Sequence, residues 1–191
     1  MVLWAIPGGG VPVADAASRV CGAPWGILVV KKLRYPWAPE TAFGALAPDG
    51  ETVLREGVER ELRKEALEEI VAETLSALEA MREQLGVREP EVRARWGFVV
   101  DDGMATGYTV EAGVRYLRRI GYRAVGVAVP VAPEDTIFRI QGIADRVEVL
   151  LPVSSPWIFA VGAYYEDFHQ VSVEEVQAYM ERARQEGRFV D

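Results

Sequence analysis

"WGFVVDDGMATGYT", residues 96–109, decides the reading of this chain. An apolar run stops at two adjacent carboxylates, Asp101 and Asp102, and small residues follow, with Thr106, Gly107 and Thr109 among them. A continuous apolar run, rather than an alternating one, marks a strand buried on both faces, as in a parallel sheet. Such a sheet offers ligands the carboxyl ends of its strands. Two unit charges about 5 Å apart, at an effective dielectric of about 20, repel by roughly 3 kcal/mol. Hydroxyl donors, a cation or full hydration must offset that. The vicinal hydroxyls of a sugar suit a carboxylate pair. The helix start beyond them offers backbone N–H groups and two hydroxyls, a cradle for a phosphate assisted by the helix dipole. A sugar with a diol at one end and a phosphate at the other fits across this loop.

The flanking sequence repeats the alternation of strand and helix. "VLWAI" (2–6) reads as a buried strand, "PGGG" (7–10) as a turn, and the segment ending at Gly22 as a helix that Pro12 opens. "GILVVKK" (26–32) reads as a second strand with Lys31 and Lys32 at its carboxyl end. "FGALA" (43–47) and "ETVL" (51–54) form a hairpin around "PDG". Residues 57–86 carry apolar positions from Val58 to Leu85 at helical spacing, closed by Gly86. That helix covers a sheet or a partner, and its acidic face is solvated. Further strands are expected at 96–100, 124–131 and 147–151, and helices at 109–120 and 134–142. Ser172 and Glu175 make a capping box for the last helix, with Val171 and Val176 as a hydrophobic staple.

Composition sets the remaining bounds. The 191 residues are 50% hydrophobic and 26% charged, with a formal net charge of −8. An acidic chain is a poor general binder of nucleic acid, whose affinity comes from lysine and arginine meeting phosphates. No apolar run approaches the roughly 20 residues that span a bilayer. The opening "MVLWAIPGGG" has neither a basic region nor a cleavage-type signature, and the single cysteine, Cys21, excludes an intramolecular disulfide. These features predict a cytoplasmic protein with no nucleic-acid or membrane partner. Cys21 reads as a small buried residue and His169 as a surface or loop histidine.

The pattern "GFVVDDGMATGYT" resembles the type I phosphoribosyltransferases, whose hallmark is an apolar strand, two acids, a few small residues, then Thr-Gly and a Thr or Ser. "IPGGGVPVA" resembles that family's pyrophosphate loop. "VVKKLRYPWAPETAFGAL", "VAVPVAP" and "AVGAYYEDFHQVSVEEV" resemble a branch of predicted bacterial and archaeal phosphoribosyltransferases. The resemblance extends over the whole chain. It implies a single α/β domain over 1–191, with a mostly parallel, Rossmann-like sheet flanked by helices. A long inserted helix (57–86) and a C-terminal hood and helix (152–191) complete it. It implies that Asp101 and Asp102 hold the ribose hydroxyls of phosphoribosyl pyrophosphate and orient the ring as the catalytic pair. Ala105, Thr106, Gly107, Tyr108 and Thr109 enclose the 5′-phosphate. Gly8, Gly9 and Gly10, with Lys31 or Lys32, face the pyrophosphate. Mg²⁺ is the implied cofactor, bound mainly through the substrate's oxygens and without a dedicated protein ligand.

The implied reaction transfers the 5-phosphoribosyl group to a nitrogenous acceptor, a nucleobase, in purine or pyrimidine salvage. The alternatives are a non-catalytic regulator that binds phosphoribosyl pyrophosphate or a nucleotide, and a hydrolase using the same cradle. A homodimer is the implied assembly. The sequence departs from the family pattern in three ways. Gly8 stands where that branch commonly has a basic residue. Ala105 stands where some purine-salvage relatives place an acidic base. The helical segment that relatives carry before the first strand is not in this sequence. Pro156 and Trp157 are candidates for a base-binding hood or for plain packing.

Overall fold

The computed structural model describes residues 1–154 and 158–191. Five parallel strands form the main sheet: β1 (Val2–Ala5), β2 (Trp25–Ile27), β6 (Trp96–Val100), β7 (Ala124–Pro133) and β8 (Arg146–Val153), in the order β2-β1-β6-β7-β8. Three antiparallel strands form a smaller sheet: β3 (Lys31–Tyr35), β4 (Ala38–Leu46) and β5 (Thr52–Leu54). The helices are α1 (Gly10–Cys21), α2 (Lys64–Leu85), α3 (Tyr108–Arg119), α4 (Glu134–Gln141) and α5 (Val173–Gln185). This is the expected α/β architecture, with the second sheet as an addition.

Strand β1 shows why the central runs are apolar throughout. Val2, Trp4 and Ile6 enter one core cluster, beside Val110, Val114 and Leu117 of α3. Leu3 and Ala5 enter the other, beside Val11 and Ala14 of α1 and Val176 and Met180 of α5. Successive strand residues face opposite sides, so a strand covered on both must be apolar at every position. The polar edge of Trp4 is satisfied: its Nε1–H donates to Tyr122 Oη at 3.0 Å, and Tyr122 donates to the Glu91 carbonyl at 3.0 Å. The one buried carboxylate of α1 is satisfied too. Asp15, 5% exposed, accepts from Arg188 at 2.8 Å and Arg19 at 3.1 Å. Burial acts to raise its pKa, but the two guanidiniums outweigh it and hold the carboxyl below the usual range.

Several expectations need correction. "GILVVKK" is not one strand. After β2, Leu28 still donates its N–H to the Ala5 carbonyl at 2.9 Å, but the chain then leaves the main sheet and β3 begins at Lys31. Leu28, Val29 and Val30 stay buried in the passage, so the apolar run hides the break. Lys31 and Lys32 therefore open the small sheet, opposite Leu46 and Ala45, rather than ending β2. The hairpin expected at 43–54 is β4–β5, but β4 also reaches back to pair with β3. The helix expected from 57 starts at Lys64, because a short 3-10 turn, Val58–Arg60, and an extended Arg63 precede it. Val58 and Leu62 are buried, so the apolar period runs through the interruption. The helix shares a core cluster with Leu33, Tyr35 and Phe43 of the small sheet, which it covers. Strand β8 is an alternating edge rather than a buried run, with Leu150 exposed. Cys21 is exposed at the end of α1. The capping box at Ser172 and Glu175 is formed, and Val171 packs on the cluster that holds Val176.

Candidate functional site

The sheet order fixes where a crevice opens. From β1 the chain passes through α1 to β2 on one side, and the next strand of the main sheet, β6, pairs on the other. Loops that depart in opposite directions leave a gap between the carboxyl ends of the two strands. The loops there are Ile6–Gly9 after β1 and Asp101–Gly107 after β6, the two stretches singled out in the sequence. Both acids are partly exposed, and the Asp102 N–H donates to Asp101 Oδ1 at 2.9 Å.

The glycine loop lies against the acids. A Cβ on Gly9 would collide with Asp102 Oδ2, and one on Gly10 would stand 2.7 Å from the Val100 carbonyl oxygen. On its other side, a Cβ on Gly8 would meet the Val171 carbonyl at 2.7 Å. The loop is glycine because its backbone is wedged between a carboxylate and the start of the C-terminal helix. The Pro7–Gly8 peptide is cis.

Burial and the neighbouring Asp102 charge push Asp101 well above the usual carboxylate range. Burial also raises Asp102, against the pull of Lys32. Lys32 thus acts on both carboxyls, while Lys31 is half-buried, its ammonium pushed down first by burial and then by Arg34. Of the two lysines, the structure brings the charge of Lys32 to the acid pair.

In the 105–109 loop, Gly107 takes a left-handed conformation (φ 73°) and precedes α3 without a side-chain cap. The first N–H groups of a helix have no partner within it, so they are free for an anion. The loop's carbonyls are tied elsewhere: Ala105 O accepts from Thr136 Oγ1 at 2.7 Å, and Thr106 O accepts from Arg139. Met104 N–H donates to the Val131 carbonyl at 3.1 Å. Thr109 is buried, Ala105 and Thr106 are exposed, and the Tyr108 ring lies under the Arg139 guanidinium at 5.5 Å.

Two contributors escaped the sequence reading. Tyr165 Oη donates to the Asp102 carbonyl at 2.6 Å, and burial, then the acid pair, pushes its phenol up to about 12. Its motif, "GAYYEDFHQV", was visible, but nothing in the spacing said which aromatic reaches the acids. Arg139 carried no signal at all, since it sits in a short, ordinary amphipathic helix. Pro156 and Trp157 lie outside the described residues. No group of three or more metal-ligating side chains occurs among the described residues.

Comparison with known proteins agrees with this fold. The family model for the phosphoribosyl transferase domain matches residues 1–169. Two curated proteins of Mycobacterium tuberculosis, from the CDC 1551 / Oshkosh and H37Rv strains, are 37% identical over 190 residues. Both are named, provisionally, as phosphoribosyl transferases. The match covers 97% of this chain but 42% of theirs, so the chain spans less than half the length of these relatives. The crystal structure of the protein TT1426 from Thermus thermophilus is 37% identical, with a TM-score of 0.72, covering 93% of this chain and 85% of that one. With the family model matched over most of its length and the fold shared, this chain belongs to the phosphoribosyl transferase domain family.

Proposed function

We propose that this chain binds phosphoribosyl pyrophosphate in the crevice between the loops after β1 and β6. It then transfers the 5-phosphoribosyl group to a nitrogenous acceptor, a nucleobase, with release of pyrophosphate. The observation that carries this reading is the contact of Gly9 with Asp102. The smallest possible loop lies flush against an acid pair that is short of partners, one loop away from an uncapped helix start.

In this reading Asp101 and Asp102 accept hydrogen bonds from the ribose 2′ and 3′ hydroxyls, donors that favour the ionised carboxyls which burial disfavours. The backbone N–H groups around Gly107, with the hydroxyls of Thr106 and Thr109, hold the 5′-phosphate at the positive end of α3. Gly8, Gly9 and Gly10 face the pyrophosphate, and Lys31 or Lys32 supplies a cation that Gly8 does not. The C1–O bond to pyrophosphate breaks, a C1–N bond forms, and the acceptor's proton leaves to solvent. The protein's part is to position the reactants and to neutralise charge.

Mg²⁺ fits this donor set. It demands oxygen ligands and is commonly bound by one or two carboxylates together with substrate phosphates. Asp101 and Asp102 are the acids available at the crevice. When bound, the ion would neutralise charge on the departing pyrophosphate.

The test is release of pyrophosphate from phosphoribosyl pyrophosphate with Mg²⁺ and a panel of nucleobases. Turnover with one base, abolished by Asp101→Asn together with Asp102→Asn, supports the reading. Gly8, in place of a basic residue, favours a second reading in which the chain binds the same ligand as a regulator. Tight binding with no turnover for any base selects that one.

A further inference from the structure

One cleft among the described residues does not lie over the acid pair. It has a volume of about 440 Å³ and runs beside the outer face of α3, between β5 and α4. Tyr108, Glu111 and Arg115 line it at steps of three and four, one stripe of the helix. Arg55 and Thr52 approach from β5 and just beyond it, and Arg139 from α4. None of Gly8–Gly10, Lys31, Lys32, Asp101 or Asp102 is part of its wall, and of the 105–109 loop only Tyr108 is.

The charge of this wall is unusual for the chain. Three guanidiniums face two carboxylates, Glu56 and Glu111, on a molecule whose formal net charge is −8. Glu111 is 5% exposed and acts as a buried post: it accepts from Arg115 at 2.6 Å and from Arg139. Arg55 is braced by Glu61 and the Tyr35 hydroxyl. The side chains of Arg55, Arg115 and Arg139 nonetheless remain 39%, 55% and 42% exposed. Each guanidinium has five N–H donors and spends only one or two groups on these braces. Forks held in place with donors to spare are preorganised for oxyanions, which they bind in bidentate fashion.

We propose that this cleft is a second oxyanion site, built from side chains and separate from the crevice at the acid pair. It takes a small, multiply charged phosphate ester or polyphosphate.

Calorimetric titration with inorganic triphosphate tests this, in magnesium-free buffer with saturating ribose 5-phosphate. The wild-type chain should bind triphosphate. Arg55→Gln with Arg115→Gln should weaken that binding at least tenfold, while affinity for phosphoribosyl pyrophosphate stays within twofold. Absence of triphosphate binding to wild type, or equal binding by the folded double variant, overturns the proposal. The arginine Nε–H resonances of the wild-type chain give a readout that does not depend on the variant folding. The Arg115 signal, assigned through Arg115→Lys, should shift on titration, and a signal that stays in place overturns the proposal.

Discussion

Asp15 and the Asp101/Asp102 pair are carboxylates withdrawn from water in the same chain, and they are treated in opposite ways. Asp15 receives two guanidiniums, and its pKa falls despite burial. The pair receives one backbone N–H and the field of Lys32; burial outweighs these, with the Asp102 charge adding to it at Asp101, and both carboxyls rise. A buried acid with its cations supplied holds structure together. It ties α1 to Arg188, near the end of the chain. Half-buried acids left short of partners raise the energy of the empty protein and keep bonding capacity in reserve. The difference is a physical criterion for which acids belong to a site, independent of any motif.

The sharpest way to break this contrast is to neutralise the pair. Asp101→Asn with Asp102→Asn removes two charge-assisted acceptors, and affinity for phosphoribosyl pyrophosphate should fall about a thousandfold by calorimetry. The fold should survive, with an unchanged circular dichroism spectrum. Normal binding by the variant would remove the pair from the site. Next in size is the opposite member of the comparison. Asp15→Ala takes from Arg188, which is only 16% exposed, one of its two carboxylates and leaves it Glu186, and should cost about 2 to 3 kcal/mol, a drop in Tm of roughly 8 °C. Ligand affinity should not change.

Gly9→Ala should come third. A methyl group pressed against Asp102 should cost about 2 kcal/mol in stability and reduce ligand binding as well, because the loop must move off the acids. A variant with wild-type affinity would show that the contact between loop and acids is incidental.

The smallest effect sharpens the sign. Carboxyls whose folded pKa is raised contribute stability that is full below the usual carboxylate range of about 4 and is lost as pH rises through the folded value. The Asn/Asn variant lacks that loss. Its Tm should match wild type near pH 4 and exceed it by a few degrees at pH 7. Asp15, with a lowered pKa, works the other way: its contribution is present above that range and is lost in acid. An Asp15→Asn variant should therefore differ most from wild type at neutral pH and converge with it as pH falls.

What was legible in the sequence was whatever local pattern determines. The strand before Asp101, the small-residue loop and the helix after it lie in one continuous stretch, and each rests on neighbours in sequence. The capping box at Ser172 is local for the same reason. What was hidden depends on distance. Leu28–Val30 read as strand because burial, not pairing, makes residues apolar, and they are buried without extending β2. Residues 57–63 read as helix because a 3-10 turn can keep the same apolar face. The reach of Tyr165 across 63 residues to Asp102, and of Arg139 across 33 to Thr106, follows from strand order, which no single stretch encodes. The contact of the triple glycine with Asp102 was equally invisible, since it depends on how two distant loops meet.

The departure of the chain from the main sheet after Ile27 has an electrostatic consequence. Lys32 influences the acid pair from the small sheet, where it stands opposite Ala45. Side chains alternate along a strand, so sliding β3 by one residue past β4, so that Leu33 comes opposite Ala45, would turn that ammonium away and put an aliphatic side chain in its place. The cation beside the two aspartates is therefore dictated by hairpin registration in a separate sheet. Insertions or deletions near Pro36 would retune the crevice without altering any residue that lines it.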